Sequence, residues 1–341
     1  MQKLKHLYAA CMVALLSVSC SESPFEPELA TITSFHVKNG DYLIPVMVRG
    51  NTASKKIILY VQGGPALNTL DYATIDYPEW KNTLEKDYAI AYYEQRGTGN
   101  KQGRFSYGDS ILDTYVEDLH TLSAFLKKAY DAEIIMMGHS FGGALVMRYM
   151  LEKSKEGIPT QYIVLNAPVT TDNGLSEKLR WKFRHEFLQN SATLEISRGN
   201  HVNEWIEVFE WLKKNPEIKK LDGENPYQLM IQWNNYVEDL IYISYPEKSL
   251  KVRDYMKAIF ASPYNPVPVY IGTLLNESDL RSLILKEEEK YEMLYKLNKI
   301  DHQNILMVTG RFDDICVPEE LNYVYSQIYS TRRFLIYKQK G

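Results

Sequence analysis

Along most of this chain, short apolar runs rich in β-branched residues alternate with longer stretches whose apolar positions recur every three to four residues. Thr31 to Val37 and Tyr42 to Val48 are β-rich runs separated by Asn39-Gly40-Asp41, turn chemistry that predicts an antiparallel hairpin. Lys56 to Val61 (KIILYV) and Tyr88 to Tyr93 (YAIAYY) read as buried parallel strands, ending in Gly63-Gly64-Pro65 and Arg96-Gly97-Thr98-Gly99. Helical spacing is expected over Tyr77 to Glu85 and Ile111 to Tyr130. In the second of these, Leu112, Tyr115, Val116, Leu119, Leu122 and Phe125 fall on one face. A strand from Glu133 to Met137, a helix from Gly142 to Lys153 and a strand from Gln161 to Leu165 continue the alternation.

From residue 171 to 300 the pattern changes to helices rich in Trp, Tyr, Phe, Glu and Lys, with no convincing strand, and reads as a helical cap. The alternation resumes in residues 301–341 with a strand from Asn304 to Val308, a helix from Glu319 to Tyr329 and a strand from Arg333 to Tyr337. The expectation is an α/β protein with a mostly parallel, doubly wound sheet formed by residues 31–170 and 301–341. Ligands in such a sheet bind at the carboxyl ends of the strands.

The start of the chain is set apart from this pattern. Lys3 and Lys5 precede an apolar run from Leu7 to Val18, the order of a secretory signal over residues 1–19 and too short to span a bilayer comfortably. Cys20 follows, then a tether up to Ala30 that is rich in Pro and Glu. This resembles a bacterial lipoprotein signal, although Ser17 stands where leucine is usual, and it implies export and a membrane anchor through lipid on Cys20. Of three cysteines, Cys11 would leave with the signal and Cys20 would carry lipid, so Cys316 has no partner for a disulfide. The net charge of −4, with no long run of either sign, gives no footprint for nucleic acid.

The candidate chemistry centres on Gly138-His139-Ser140-Phe141-Gly142. A G-x-S-x-G motif is short, but here a strand precedes it and a helix follows, the context in which a nucleophilic serine projects above a sheet edge. Acyl transfer produces an oxyanion that two backbone N–H groups stabilise, and the candidates are those of Phe141 and of Gly64 in the loop after KIILYV. Three segments, Gln62-Gly63-Gly64-Pro65-Ala66, Glu94-Gln95-Arg96-Gly97-Thr98-Gly99 and Gly138-His139-Ser140-Phe141-Gly142-Gly143, together with Gly310-Arg311-Phe312-Asp313, resemble the prolyl aminopeptidase branch of the α/β-hydrolases. Gln62, Ala66 and Glu94 depart from that pattern, which has histidine, glycine and aspartate there. The resemblance implies an α/β-hydrolase fold with a helical cap and a Ser-Asp-His triad. It further implies an acidic cap residue for the substrate's amino group, for which Glu238 is the loose match.

After the strand Asn304 to Val308, Asp313 is the preferred triad acid and Asp314 the alternative. A histidine should follow the strand Arg333 to Tyr337, yet all seven histidines (His6, His36, His120, His139, His185, His201 and His302) precede Asp313. The expectation is therefore a C-terminally incomplete hydrolase whose serine lacks its base. The leading function is a serine hydrolase with aminopeptidase-like action on short peptides, needing neither metal nor organic cofactor. The alternatives are an esterase, and a non-catalytic envelope lipoprotein that binds a ligand on a hydrolase fold.

Overall fold

The computed structural model describes residues 32–65, 70–74, 78–98, 110–171, 174–216, 237, 239–241, 256, 260–261, 263–264, 280–300 and 304–328. Strands β1 (Thr33–Asn39) and β2 (Tyr42–Gly50) form the expected hairpin, with Asn39 opposite Tyr42 and Gly40 at φ 61° in the two-residue turn. Five more strands complete one sheet: β3 (Lys56–Val61), β4 (Ala89–Tyr93), β5 (Glu133–His139), β6 (Pro159–Leu165) and β7 (Ile305–Val308). The order is β1-β2-β4-β3-β5-β6-β7, antiparallel as far as β4 and parallel from there to β7.

Successive residues of a strand face opposite sides, so a strand covered on both faces must be apolar throughout. Ile57, Leu59, Ile134 and Met136 enter the main core, while Ile58, Ile135 and Met137 pack on the other face with Trp80 and Leu84. The main-core face is covered by α1 (Ile111–Tyr130) and α2 (Phe141–Lys153). Helix α1 starts on a Ser110 cap whose hydroxyl accepts from Asp113 N, and Glu287 receives the N–H groups of Ile111 and Leu112. A carboxylate there opposes the positive end of the helix dipole. Leu112, Tyr115, Val116, Leu119 and Leu122 are buried as their spacing requires. Phe125, expected on the same face, stays 40% exposed and rests against the Phe35 ring at the sheet edge.

The helix expected over Tyr77 to Glu85 is instead two short ones, Pro78–Lys81 and Leu84–Asp87, separated by Asn82 and Thr83. The break turns Glu85 inward, where it pairs with the equally buried Arg49 of β2 at 2.9 Å. Between β6 and β7 the described elements are helical: α3 (Gly174–Arg198), α4 (Val202–Lys214), α5 (residues 280–291) and a 3₁₀ segment (Met293–Lys299). Phe183 and Phe187 of α3 join Trp205, Val208 and Leu212 of α4 in a second apolar core. Helix α6 (Pro318–Ile328) follows β7, and the strand expected from Arg333 to Tyr337 lies outside the described residues. No helix among the described residues is long and apolar enough to cross a membrane.

Part of the resemblance to known hydrolases is structural. Arg96 makes two hydrogen bonds to Asp118 of α1, at 2.5 and 2.6 Å, lies 3.7 Å from the centroid of the Tyr42 ring, and receives the Tyr115 hydroxyl on its carbonyl. A planar guanidinium suits this paired contact in a way that lysine does not. Arg96 thus clamps the hairpin to α1.

Candidate active site

Every element of the candidate site sits at a carboxyl end of the parallel sheet. Ser140 follows β5 at φ 54°, ψ −125°, outside the usual regions for a residue with a side chain, and forms the N-cap of α2. Such a conformation costs on the order of 1–3 kcal/mol and persists only where its surroundings impose it. The surroundings here are tight. A Cβ on Gly138 would lie 2.2 Å from the Gly142 carbonyl oxygen, and one on Gly142 would lie 2.1 Å from that of Val61. Ser140 N donates to Leu165 O at 2.9 Å and Ser140 O accepts from Gly143 N at 2.8 Å, which anchor the turn to β6 and to its own helix.

Ser140, Phe141 and Gly64 line one cavity of ≈ 200 Å³, with Gly64 at φ 125°. Asp313, on the loop after β7, does not line it, but the adjoining Ile315 and Cys316 do. The Asp313 carboxylate accepts from Cys316 N at 2.7 Å and Ile315 N at 3.1 Å. Burial pushes its carboxyl up to about 6, against the pull of those two N–H groups. Asp314 is likewise raised by burial, and its carbonyl accepts from Arg184 at 2.9 Å. Of the two acids, Asp313 is thus the one whose side chain is tied to the loop beside Ser140. Glu238 and Cys20 lie outside the described residues.

The Ser140 hydroxyl lies 3.9 Å from the Cys316 sulfur. Burial pushes that thiol up to about 12, so it stays protonated at neutral pH. Among the described residues no histidine hydrogen-bonds to Ser140 or Asp313. His36 meets Tyr264 edge-on, His120 lies between Tyr149 and Glu156, His185 donates to the Asn215 carbonyl and His201 precedes α4. His139 lies beside Gly63, and His6 and His302 are outside the described residues.

The basic lining from α2 and from the helices beyond β6 is not announced by any motif in the chain. Arg148 of α2, Arg180, Trp181 and Arg184 of α3 and Arg281 of α5 all border the cavity. Glu320 of α6 borders it too, but its carboxylate accepts the N–H groups of Val169 and Thr170 and holds the loop after β6. The only signal in the sequence was the spacing of Arg180, Trp181 and Arg184, which puts them on one helical face. Among the described residues no group of three or more His, Cys, Asp or Glu could hold a metal ion.

Residues 80–227 match the family model described as serine aminopeptidase, S33. The proline iminopeptidase of Lactobacillus acidophilus is 27% identical over 169 residues, which are 49% of this chain and 53% of that protein. The chain therefore matches about half the length of that curated relative. Among solved structures, a lipase candidate from Acinetobacter baumannii superposes with TM-score 0.50 at 12% identity, covering 89% of this chain and 83% of that one. The proline iminopeptidase of Mycobacterium smegmatis gives TM-score 0.47 at 13% identity, covering 89% and 90%. The strand order and the turn at Ser140 give the chain an α/β-hydrolase fold, and its sequence resembles the prolyl aminopeptidase branch of that fold.

Proposed function

We propose that this chain is a serine hydrolase that removes residues from the amino end of short peptides by acyl transfer, with Ser140 as nucleophile. The observation that carries the proposal is the strained Ser140 backbone, held at φ 54° on the cavity wall at the start of α2. In this reading the Ser140 hydroxyl attacks the scissile carbonyl, and its proton passes to an imidazole that none of the described histidines supplies and from there to the leaving amine. The N–H groups of Phe141 and Gly64 then receive the negative charge that develops on the carbonyl oxygen. Asp313 orients that base. The names of the matching family and of the Lactobacillus relative support peptides over other acyl compounds. Residues 171–300 act as a cap that shapes the substrate site, and Glu238 is the candidate partner of the peptide's amino group. Export and lipid attachment at Cys20 belong to the same proposal and rest on the amino-terminal sequence. Loss of metabolic lipid labelling in Cys20→Ala is the matching test.

A second reading, a ligand-binding protein on a hydrolase fold, is favoured by one observation. The group beside the Ser140 hydroxyl is the protonated thiol of Cys316 rather than an imidazole. A fluorophosphonate probe with and without added imidazole separates the two. The hydrolase reading expects labelling at Ser140 that imidazole accelerates and Ser140→Ala abolishes. Absence of labelling under both conditions overturns it in favour of binding alone. Among substrates, faster turnover of free-amine than of N-blocked aminoacyl compounds is expected, and equal turnover indicates an esterase instead.

A further inference from the structure

The cavity beside Ser140 is bordered by four arginines, Arg148, Arg180, Arg184 and Arg281, and by two glutamates, Glu288 and Glu320. Their partners decide what charge is left for a ligand. Arg148 is paired with Asp113 and Glu152 and lies over the Tyr291 ring. Arg180 is held on Thr170, and Glu288 faces Arg180 and Arg148. Glu320 is engaged by two backbone N–H groups. Arg184 spends its two terminal nitrogens on the carbonyls of Asp314 and Ile315, with no carboxylate at ion-pair distance among the described residues. Its Nε is buried without a hydrogen-bond partner, and so is the indole Nε1 of Trp181, whose side chain is only 7% exposed. Arg281, across the cavity on α5, is exposed and forms no ion pair or hydrogen bond with any described residue.

Buried donors without partners are rare, because each loses its hydration and regains nothing. Two of them on one helical face, opposite a guanidinium that has no partner among the described residues, form a site lacking its acceptor. A carboxylate supplies what is missing. Its two oxygens offer about four acceptor positions, enough for the Arg184 Nε, the Trp181 indole and Arg281 together, and its charge makes each of those bonds charge-assisted.

We propose that the cavity takes a di- or tripeptide by a carboxylate, held by Arg281 and, once a side-chain adjustment uncovers them, by the buried Arg184 Nε and Trp181 indole, while the scissile bond lies at Ser140. The proposal rests on the hydrolase reading and names the substrate class for that same site. Discrimination follows directly: a neutral amide offers these donors one uncharged carbonyl oxygen, whereas a carboxylate offers two charged ones and forms the stronger class of hydrogen bond.

Isothermal titration of the full chain carrying Ser140→Ala, which prevents turnover, tests it with three peptides: prolylglycine, its neutral amide prolylglycinamide, and prolylaspartamide, whose carboxylate is on a side chain. Prolylglycine is expected to bind about tenfold more tightly than its amide, the ratio that one charge-assisted contact supplies. Arg281→Gln, a change at an exposed position, and Trp181→Phe, which keeps the ring and removes the donor, are each expected to reduce that ratio to about threefold or less. Prolylaspartamide at the affinity of prolylglycine assigns the site to any nearby carboxylate, and at the affinity of the amide assigns it to the chain terminus; both support the proposal. Equal binding of prolylglycine and its amide, a ratio unchanged in both variants, or no binding of any of the three at millimolar concentration overturns it. Fluorophosphonate labelling of the wild-type chain reports on Ser140 separately, so a failed carboxylate site and a failed nucleophile are different results.

Discussion

Gly142→Ala is a sharp test of the Ser140 turn, because two physical effects predict opposite signs. Gly142 is a helical residue with an ordinary negative φ, so helix propensity alone expects alanine to stabilise the chain by up to about 1 kcal/mol. Packing expects the reverse. An added Cβ would lie 2.1 Å from the Val61 carbonyl oxygen, 2.4 Å from that of Gln62 and 2.7 Å from the Val61 carbonyl carbon. All three are backbone atoms at the end of β3, which pairs with β4 on one side and β5 on the other, so no flexible side chain can yield. The end of β3 or the start of α2 must retreat by roughly 1 Å to reach ordinary contact. Overpacking of this kind costs about 1–3 kcal/mol, and a clash with rigid backbone belongs at the upper end. At about 2–4 °C per kcal/mol for a domain of a few hundred residues, the expected loss is roughly 6 °C or more in Tm. Thermal and urea unfolding followed by circular dichroism measure it. Gly310→Ala is the control: its Cβ would meet nothing closer than Asp313 Cβ at 3.8 Å, and it should leave Tm near the wild-type value. If Gly142→Ala melts with or above the wild type, the close approach of β3 to the turn is wrong.

Two further perturbations address buried charge. Arg96→Ala leaves the Asp118 carboxylate buried without its paired donor and should destabilise by about 3–5 kcal/mol in urea unfolding, whereas Arg96→Met combined with Asp118→Leu should recover most of that loss. Asp313 links stability to pH. Its folded carboxyl is raised to about 6 from an ordinary 3.8, so between those values the folded chain keeps a proton that the unfolded chain releases. The contribution of this group is therefore greatest below the unfolded value and is lost as pH rises through about 6, by a total on the order of 3 kcal/mol. Asp313→Asn should abolish that slope, converging with the wild type near pH 4 and exceeding it in stability near pH 8. Parallel urea-midpoint curves for the two proteins across this range would remove Asp313 as the source.

What could be read from the chain alone follows from how local the physical cause is. The run KIILYV has no polar residue after its lysine because β3 is covered on both faces, and that requirement is written into consecutive residues. The spacing of Gly138, Ser140 and Gly142 is legible for the same reason: the clashes that demand glycine arise within the turn and with the next strand. Buried charge is different. Nothing near Glu85 announces that it must turn inward, because its partner Arg49 lies 36 residues earlier, and the short break at Asn82 and Thr83 that turns it ran against an otherwise helical pattern. The cavity lining is less local still. Arg184 and Arg281 are 97 positions apart and border one cavity only because α3 and α5 both flank it. On a single helix each reads as an ordinary solvated arginine. Reaction class and ligand class were therefore unequally visible. The first depends on a tight turn that only certain residues can make, the second on which charges remain uncompensated after distant elements meet. Such a fold can keep the first intact while substitutions on α3 and α5 alter the second, so under the carboxylate proposal substrate preference is set by the arginines beside Ser140.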